Sequence, residues 1–372
     1  MKKSCLVVVG EQSGEEHFLS FFPQLQAKVQ AELDFYGVAG SDSAAQGVEL
    51  IYHLKEFSSM GFSEVLHKIP FYYNAHKELL KQVDQRKTQY AILVDFQGFN
   101  LRLAQSLKKK NVNVYYYVAP QAWAWKPWRA KKIAQSVQCL FCFLPFEKSW
   151  FQERGVSQVQ LVAHPLYRKY AEELKQLKPH SQRDEILFLP GSRKMEVRSL
   201  MPVFYDVIKE IKKIKPEFKI SLLISPSLDL CELEKYLHLF DHSYHSDQSS
   251  QAFQNAKFAV AASGTVTLAT GLFQVPTVVC YKVNLFNEYV FYTVVKYTGF
   301  ISLVNLILAD EVFPELTQNL VSAQRIISEL KQWFEDEEYL AKTLRQLARL
   351  NHLLRGEKEG FCPGEYIANE II

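Results

Sequence analysis

A single carboxylate, Asp95, directly follows an apolar run of strand length, Tyr90 to Val94. In an open α/β sheet the carboxyl ends of such strands border the ligand crevice. A carboxylate placed there can take a proton from a reacting hydroxyl. The sequence therefore makes Asp95 a candidate site residue, with capping of the next helix near Asn100 as the alternative.

Two turns farther along the chain join a strand to a helix through small and hydroxyl residues. They are Pro190-Gly-Ser-Arg193 and Ser263-Gly-Thr265. A helix N-terminus offers unsatisfied N–H groups and the positive end of its dipole, and the Arg193 guanidinium matches phosphate oxygens. Together the turns predict a diphosphate site, whereas N-capping by serine or threonine explains either turn alone.

Asp95 and the two turns fall in different halves of the chain, so a cleft between two domains would set a carboxylate opposite a phosphate-binding surface. That arrangement suits transfer of a sugar from a nucleotide diphosphate to a hydroxyl, with no metal needed to hold the diphosphate. The sequence contains no Asp-x-Asp pair, in agreement with that interpretation. His164, next to Pro165 at the junction, either lines the cleft or is a hinge histidine satisfied by its neighbours.

Three aromatic segments carry basic residues. Trp123 and Trp125 stand among Lys126, Arg129, Lys131 and Lys132, which suits a ligand-gripping loop, a positively rimmed apolar surface or an ordinary basic helix. The segments Met60–Lys77 and Leu285–Tyr297 have a similar mixture. Such segments are often core-facing, but the mixture also suits an anionic bilayer surface.

Composition limits the classes of protein that fit. A chain of 372 residues is long enough for two domains, and a net charge of +3 is too balanced for nucleic acid as the main partner. The apolar run Cys5–Val9 is too short for a secretory signal, so we expect a cytoplasmic protein. The six cysteines lie mostly in apolar runs, and we predict no metal site.

Strand-like runs alternate with helical segments twice along the chain, including one helix expected from about Glu15 to Val29. We therefore predict an α/β fold with two doubly wound, Rossmann-like domains facing a cleft, followed by C-terminal helices. The predicted bounds are residues 1–166 for an acceptor-side domain and 185–340 for a nucleotide-sugar-binding domain. Residues 341–372 are expected to form a helical segment that packs on the first domain or on a partner subunit.

An ordered set of motifs resembles the lipid-A-disaccharide synthase family and extends from the first strand to beyond residue 316. The motifs of the first half are Gly10-Glu-Gln-Ser-Gly14, Met60-Gly-Phe-Ser-Glu-Val-Leu66, Val94-Asp95 through Phe99-Asn-Leu101, Tyr117-Val-Ala-Pro120, Trp123-Ala-Trp125, Leu144-Pro-Phe-Glu147 and His164-Pro165. Those of the second half are Leu189-Pro-Gly-Ser-Arg193 with Glu196-Val197, Ala262-Ser-Gly-Thr265 and Pro314-Glu-Leu316.

The resemblance implies a two-domain GT-B fold and an inverting, metal-independent glycosyltransferase without cofactor. It would join UDP-2,3-diacylglucosamine to 2,3-diacylglucosamine 1-phosphate (lipid X), releasing UDP. Asp95 would be the general base for the acceptor's 6-hydroxyl. Further expected substrate contacts are Glu11, Ser13, Gly14, Trp125, His164, Ser192, Arg193, Glu196, Ser263, Gly264, Thr265 and Asn305. The resemblance also implies a peripheral protein on the cytoplasmic face of the inner membrane, and a homodimer.

The chain departs from the family pattern at several positions. Gly98 stands where a second Asp is usual, Glu15 replaces an Asp, and Ala269 stands where a Glu typically faces the donor ribose. Val304 replaces a Pro, and Asp310 replaces an Arg. These departures motivate two alternatives: a non-catalytic protein that binds acylated sugars, and a related enzyme acting on another nucleotide sugar.

Overall fold

A computed structural model describes residues 2–29, 32–57, 67–228, 230–282, 299–358 and 360–372. The chain divides into two compact units, Met1–Pro165 with Arg355–Ile372, and Leu166–Leu354. Helix Glu337–Leu354, which spans the start of the expected C-terminal segment, belongs to the second unit. The last helix, Pro363–Ile371, belongs to the first.

The first unit is built on a seven-stranded parallel sheet of order β3-β2-β1-β4-β5-β6-β7. Its strands are β1 Lys3–Val9, β2 Leu33–Ala39, β3 Glu49–His53, β4 Tyr90–Val94, β5 Asn113–Tyr117, β6 Cys139–Cys142 and β7 Val159–Leu161. Its described α-helices are Gln12–Leu19, Phe22–Val29, Ser41–Ala45, Leu54–Phe57, Ile69–Arg86, Gln97–Lys108, Arg129–Ser136, Pro145–Gln152 and Pro363–Ile371.

Strand β1 shows why this sheet is buried on both faces. Cys5 through Val9 have no exposed surface. Because successive side chains on a strand point to opposite faces, Leu6 and Val8 join one apolar cluster, whereas Cys5, Val7 and Val9 join another. The continuous apolar run in the sequence is therefore the sign of a central parallel strand.

The second unit repeats the plan with a six-stranded parallel sheet of order β10-β9-β8-β11-β12-β13. Its strands are β8 Glu185–Leu189, β9 Lys219–Leu223, β10 His242–Tyr244, β11 Ala256–Ala262, β12 Thr277–Tyr281 and β13 Glu315–Thr317. Its described α-helices are Lys194–Ile214, Ser249–Asn255, Thr265–Leu272, Leu303–Leu308, Ala323–Glu335 and Glu337–Leu354, and helix Pro165–Lys169 spans the boundary between the units.

Two doubly wound parallel sheets confirm the predicted fold class, and the differences are local. The helix expected from Glu15 to Val29 is instead two helices, Gln12–Leu19 and Phe22–Val29, and Pro23 lies in the first turn of the second one. Proline is favoured there because its missing N–H would have no partner in the first turn. The edge strands β3, β10 and β13 were not predicted from the sequence.

Candidate active site

Asp95 lies where the winding of the first sheet reverses. Strand β1 has β2 on one side and β4 on the other, and Val9 pairs with Val94. Glu11 follows the end of β1 and Asp95 follows the end of β4, so the two carboxylates extend from adjacent strand ends. Ligands of doubly wound sheets bind at this kind of switch point.

The backbone at Asp95 is held in an unusual conformation. Asp95 and Phe96 both have positive φ, 49° and 46°. The Asp95 N–H donates to the Tyr117 carbonyl at 2.9 Å, and the Asp95 carbonyl accepts from the Tyr116 hydroxyl at 2.8 Å and the Asn100 amide at 3.0 Å. These hydrogen bonds oppose the cost of two successive left-handed residues, about 1–3 kcal/mol each.

Gly10 makes room for this turn. A Cβ added at Gly10 would lie 2.2 Å from the Phe96 Cγ, far inside van der Waals contact. The glycine turn after β1 and the Asp95 turn after β4 therefore interlock, which gives Gly10 a packing role that the motif alone did not reveal.

The alternative in which Asp95 caps the next helix is wrong. Helix Gln97–Lys108 has Phe96 as its N-cap residue, and no side chain caps it. Asn100 lies inside the helix, and its amide donates to the carbonyls of Val8, Val94 and Asp95. Asp95 therefore precedes the N-cap residue of this helix and is not itself that residue.

Burial raises the pKa of Asp95 from its ordinary value to about 6, since a buried charge loses hydration. The nearby negative charge of Glu11 raises the pKa further, and a hydrogen bond from the Phe96 N–H lowers it. A carboxylate with this pKa is mostly ionised at neutral pH and more basic than an ordinary aspartate, as a general base requires.

The other residues expected to bind substrate in the first unit have different environments. Ser13 and Gly14 lie in the first turn of helix Gln12–Leu19, with Ser13 exposed and Gly14 buried. Trp125 is 42% exposed, and its ring lies under the Lys126 ammonium at 3.9 Å. His164 is buried, with its ring at an edge-on angle to Phe143.

A cavity of about 440 Å³ in the second unit brings together six of the residues expected to contact substrate. Its volume is within the usual range for a small-molecule pocket. The six residues are Ser192, Arg193, Glu196, Ser263, Gly264 and Thr265. Ala269 also lines the cavity, so the departure from the family pattern at this position lies in the wall itself.

The first of these turns does not offer the free N–H groups that we expected. The Glu196 carboxylate accepts from the Ser192 and Arg193 N–H groups at 3.1 and 3.3 Å, and from the Arg193 guanidinium at 2.7 Å. Gly191 permits this because a Cβ there would lie 2.4 Å from a Glu196 oxygen. The turn is thus capped by its own helix, and Arg193, with a side chain 80% exposed, is its main ligand-facing cation.

The second turn keeps its N–H groups available. Gly264 is the N-cap of helix Thr265–Leu272, and its carbonyl accepts from the Thr267 N–H and hydroxyl. The N–H groups of Gly264, Thr265 and Val266 have no hydrogen-bond partner among the described residues. An added Cβ at Gly264 would meet no atom within 4 Å, so a ligand can approach this backbone closely.

Asn305 does not line the cavity, contrary to the expected donor contact. Its amide nitrogen donates to the Phe313 carbonyl and to Glu315, and its oxygen accepts from the Val312 and Phe313 N–H groups. Because two donors and two acceptor positions are the full capacity of an asparagine side chain, Asn305 is a buried scaffold residue here.

Part of the cavity wall was not predicted from the sequence. Tyr170 and Ser249 are both buried, share a hydrogen bond of 3.0 Å between their hydroxyls, and line the cavity together with the exposed Lys169. Lys169 and Tyr170 fall between residues 166 and 185, outside both predicted domains. No motif marks them, and only the fold brings them to Ser249.

The described residues contain neither a cluster suited to a metal ion nor a helix suited to crossing a membrane. No group of three or more His, Cys, Asp or Glu side chains in these ranges is arranged to hold a metal ion. No helix in the described part of the chain is long and apolar enough to cross a membrane. The segment Leu285–Tyr297 and the whole of the Met60–Leu66 motif, with the membrane contacts expected from them, lie outside the described residues.

A family model described as lipid-A-disaccharide synthetase matches residues 5–368. The chain belongs to the lipid-A-disaccharide synthase family. The lipid-A-disaccharide synthase of Myxococcus xanthus (strain DK1622) is 35% identical to it over 337 residues, which are 88% of this chain and 86% of the relative. That of Anaeromyxobacter dehalogenans (strain 2CP-C) is 32% identical over 379 residues, covering 99% of this chain and 96% of the relative.

Solved structures agree on the fold of this lipid-A-disaccharide synthase family member. The UDP-GlcNAc 2-epimerase from Neisseria meningitidis bound to UDP-GlcNAc has a TM-score of 0.56 at 11% identity, and the match covers 100% of this chain and 99% of that chain. The calicheamicin glycosyltransferase CalG4 has a TM-score of 0.56 at 11% identity, covering 100% of this chain and 97% of that chain. The predicted GT-B fold is confirmed, and family membership makes the chain a glycosyltransferase of lipid A biosynthesis.

The electrostatic coupling of the two carboxylates can be measured directly. We expect the Asp95 carboxyl to titrate near pH 6. In Glu11→Gln the pKa of Asp95 should fall, because the negative charge of Glu11 no longer raises it. The measurement is ¹³C NMR of labelled aspartate carboxyls across pH 4–8, with the Asp95 signal assigned by its loss in Asp95→Asn. The control is Glu16→Gln, which changes an exposed residue of helix Gln12–Leu19 and should leave the Asp95 pKa unaltered. An unaltered Asp95 titration in Glu11→Gln would disprove the coupling.

Proposed function

We propose that this chain transfers 2,3-diacylglucosamine from UDP-2,3-diacylglucosamine to the 6-hydroxyl of 2,3-diacylglucosamine 1-phosphate, with inversion and release of UDP. Membership in the lipid-A-disaccharide synthase family supports this assignment. The structural observation that carries it is Asp95, a partly buried carboxylate with a raised pKa at the switch point of the first sheet.

Asp95 acts as the general base in this proposal. Its carboxylate accepts the proton of the acceptor's 6-hydroxyl while that oxygen bonds to the anomeric carbon of the donor sugar. The bond from that carbon to the UDP oxygen breaks on the opposite face, so the anomeric configuration inverts. General-base assistance of this kind contributes about 10²–10⁴-fold to a rate.

The second unit holds the departing diphosphate. The free N–H groups at Gly264, Thr265 and Val266 supply fixed donors and the positive end of a helix dipole, and Arg193 supplies a charged fork. Negative charge develops on the diphosphate as the bond breaks, so donors already in position lower the barrier without reorganisation. The proposed reaction uses no cofactor, and the UDP-sugar is a substrate.

Replacing the base tests the assignment. Asp95→Asn should reduce transfer by about 10²–10⁴-fold, because the amide cannot accept the hydroxyl proton. UDP binding should persist, because the proposed nucleotide contacts belong to the second unit. The assay combines purified protein with UDP-2,3-diacylglucosamine and lipid X without added metal and follows UDP and disaccharide.

The matched control for this assay is Asp42→Asn, an exposed aspartate in helix Ser41–Ala45, which should keep the parent rate. Full activity of Asp95→Asn would remove Asp95 as the base. Absence of product from the unmodified protein would contradict the substrate assignment as a whole.

We also propose that the protein acts on the membrane surface, since both substrates carry acyl chains. Two exposed aromatic residues of the first unit support this. Tyr73 is 59% exposed with the Lys77 ammonium 4.3 Å from its ring centroid, and Trp128 is 54% exposed with Lys132 at 4.9 Å. An apolar ring beneath an ammonium suits an interface of acyl chains and anionic headgroups.

Vesicle flotation measures this association. The protein should float with vesicles containing phosphatidylglycerol at low salt and less at high salt, because salt screens the lysine charges. The double variant Tyr73→Ala, Trp128→Ala should float less, whereas Met195→Ala, which removes a residue 62% exposed in the second unit, should not differ. Lack of flotation at either salt concentration would contradict the surface proposal.

A further inference from the structure

Arg129 is a buried cation without a matching anion. The residue is 9% exposed, and its guanidinium donates one side-chain hydrogen bond, from Nη1 to the Gln97 Oε1 at 2.6 Å. The acceptor is a neutral amide, and no carboxylate among the described residues forms an ion pair with Arg129. Because burying an unpaired charge is costly, such a group is normally compensated by hydrogen bonds or by a ligand.

Arg183 shows what compensation looks like in this chain. It is also buried, and its guanidinium donates to three carbonyls, those of Lys178, Ala256 and Phe273, at 2.8, 3.3 and 2.8 Å. Arg183 is thus satisfied by its own unit. Arg129 has one such bond, and its other N–H groups have no partner in the described part of the chain.

The unused N–H groups of Arg129 are within reach of a ligand. Among the described residues, three fully buried side-chain atoms lack a hydrogen-bond partner, and they belong to Asn100, Ser221 and Asn351. None of them is a guanidinium nitrogen, so the Arg129 nitrogens without a hydrogen bond are not fully buried. The Trp125 ring lies with its centroid 5.1 Å from the guanidinium carbon of Arg129, and Trp125 is itself 42% exposed.

Arg129 also belongs to the neighbourhood of Asp95. Its partner Gln97 is the second residue after Asp95 in the same turn. The Tyr116 hydroxyl, which donates to the Asp95 carbonyl, lies close enough to Arg129 for the positive charge to act on it. Arg129 is thus linked to the Asp95 turn through Gln97 and Tyr116.

We propose that Arg129 binds the phosphate monoester of the acceptor sugar, with Trp125 closing over it and Gln97 fixing its orientation. The inference rests on the proposed function, which places the acceptor's 6-hydroxyl at Asp95. The phosphate is on C1 of the same pyranose ring, and C1 and C5, the carbon that carries the 6-hydroxymethyl group, are both bonded to the ring oxygen. The unused N–H groups of a guanidinium match the oxygens of a phosphate in geometry. The phosphate would also supply the negatively charged partner that Arg129 lacks among the described residues.

The experiment compares two acceptors in each of four proteins. The acceptors are 2,3-diacylglucosamine 1-phosphate and the same sugar without its phosphate, and pH 8 keeps Asp95 ionised. For Arg129→Gln we expect the KM of the phosphorylated acceptor to rise by about 10–100-fold, the usual effect of losing a charged hydrogen bond. The KM of the unphosphorylated acceptor should change by less than about twofold, because that acceptor has no charge for Arg129 to bind.

Two further variants separate binding from folding. Gln97→Glu keeps Arg129 but gives it an internal carboxylate, so the KM of the phosphorylated acceptor should again rise selectively. Arg154→Gln is the matched control, because Arg154 is an exposed arginine 4.0 Å from the Trp150 ring, and its loss should leave both KM values unaltered.

The contrary outcomes are distinct. Equal losses with both acceptors in Arg129→Gln and Gln97→Glu would make Arg129 a structural residue and overturn the inference. A change confined to the KM of the UDP-sugar would assign the guanidinium to the donor and overturn it as well. Failure of the parent protein with both acceptors would overturn the proposed function and, with it, this inference.

Discussion

The left-handed turn at Asp95 and Phe96 is the constraint on which the first unit's candidate site depends. Two successive residues with positive φ turn the chain out of β4, and hydrogen bonds from Tyr116 and Asn100 hold the Asp95 carbonyl. Gly10 leaves the space that the Phe96 ring fills. The partly buried carboxylate of this turn lies near the negative charge of Glu11, and both its desolvation and that charge raise its pKa.

In the second unit, some of the expected site residues support the backbone and others are available to a ligand. Glu196 and Asn305 satisfy backbone groups of their own unit, which rigidifies the turns that carry them. The N–H groups at Gly264 and Thr265 have no such internal partner among the described residues. A ligand's phosphates would therefore meet backbone donors at the second turn and the Arg193 side chain at the first.

The sequence predicted features that depend on local pattern. The apolar runs of β1 and β4 are strong signals because a central parallel strand is buried on both faces, and Asp95 stands out as the polar residue that ends one of them. The edge strands β10 and β13 are three residues long and carry little periodicity. The role of Asn305 depends on contacts with residues 312–315, which no local pattern records.

The pH dependence of kcat/KM in the parent protein and in Glu11→Gln shows whether Asp95 is the base and whether its partial burial and the charge of Glu11 set its pKa. The acceptor phosphate also titrates near pH 6, and comparison of the two proteins separates it from Asp95. The account predicts that the parent's activity rises with pH through a midpoint near 6. In Glu11→Gln this acid limb should move to lower pH. An acid limb at the same pH in both proteins, or a rate independent of pH between 5 and 7, would contradict it.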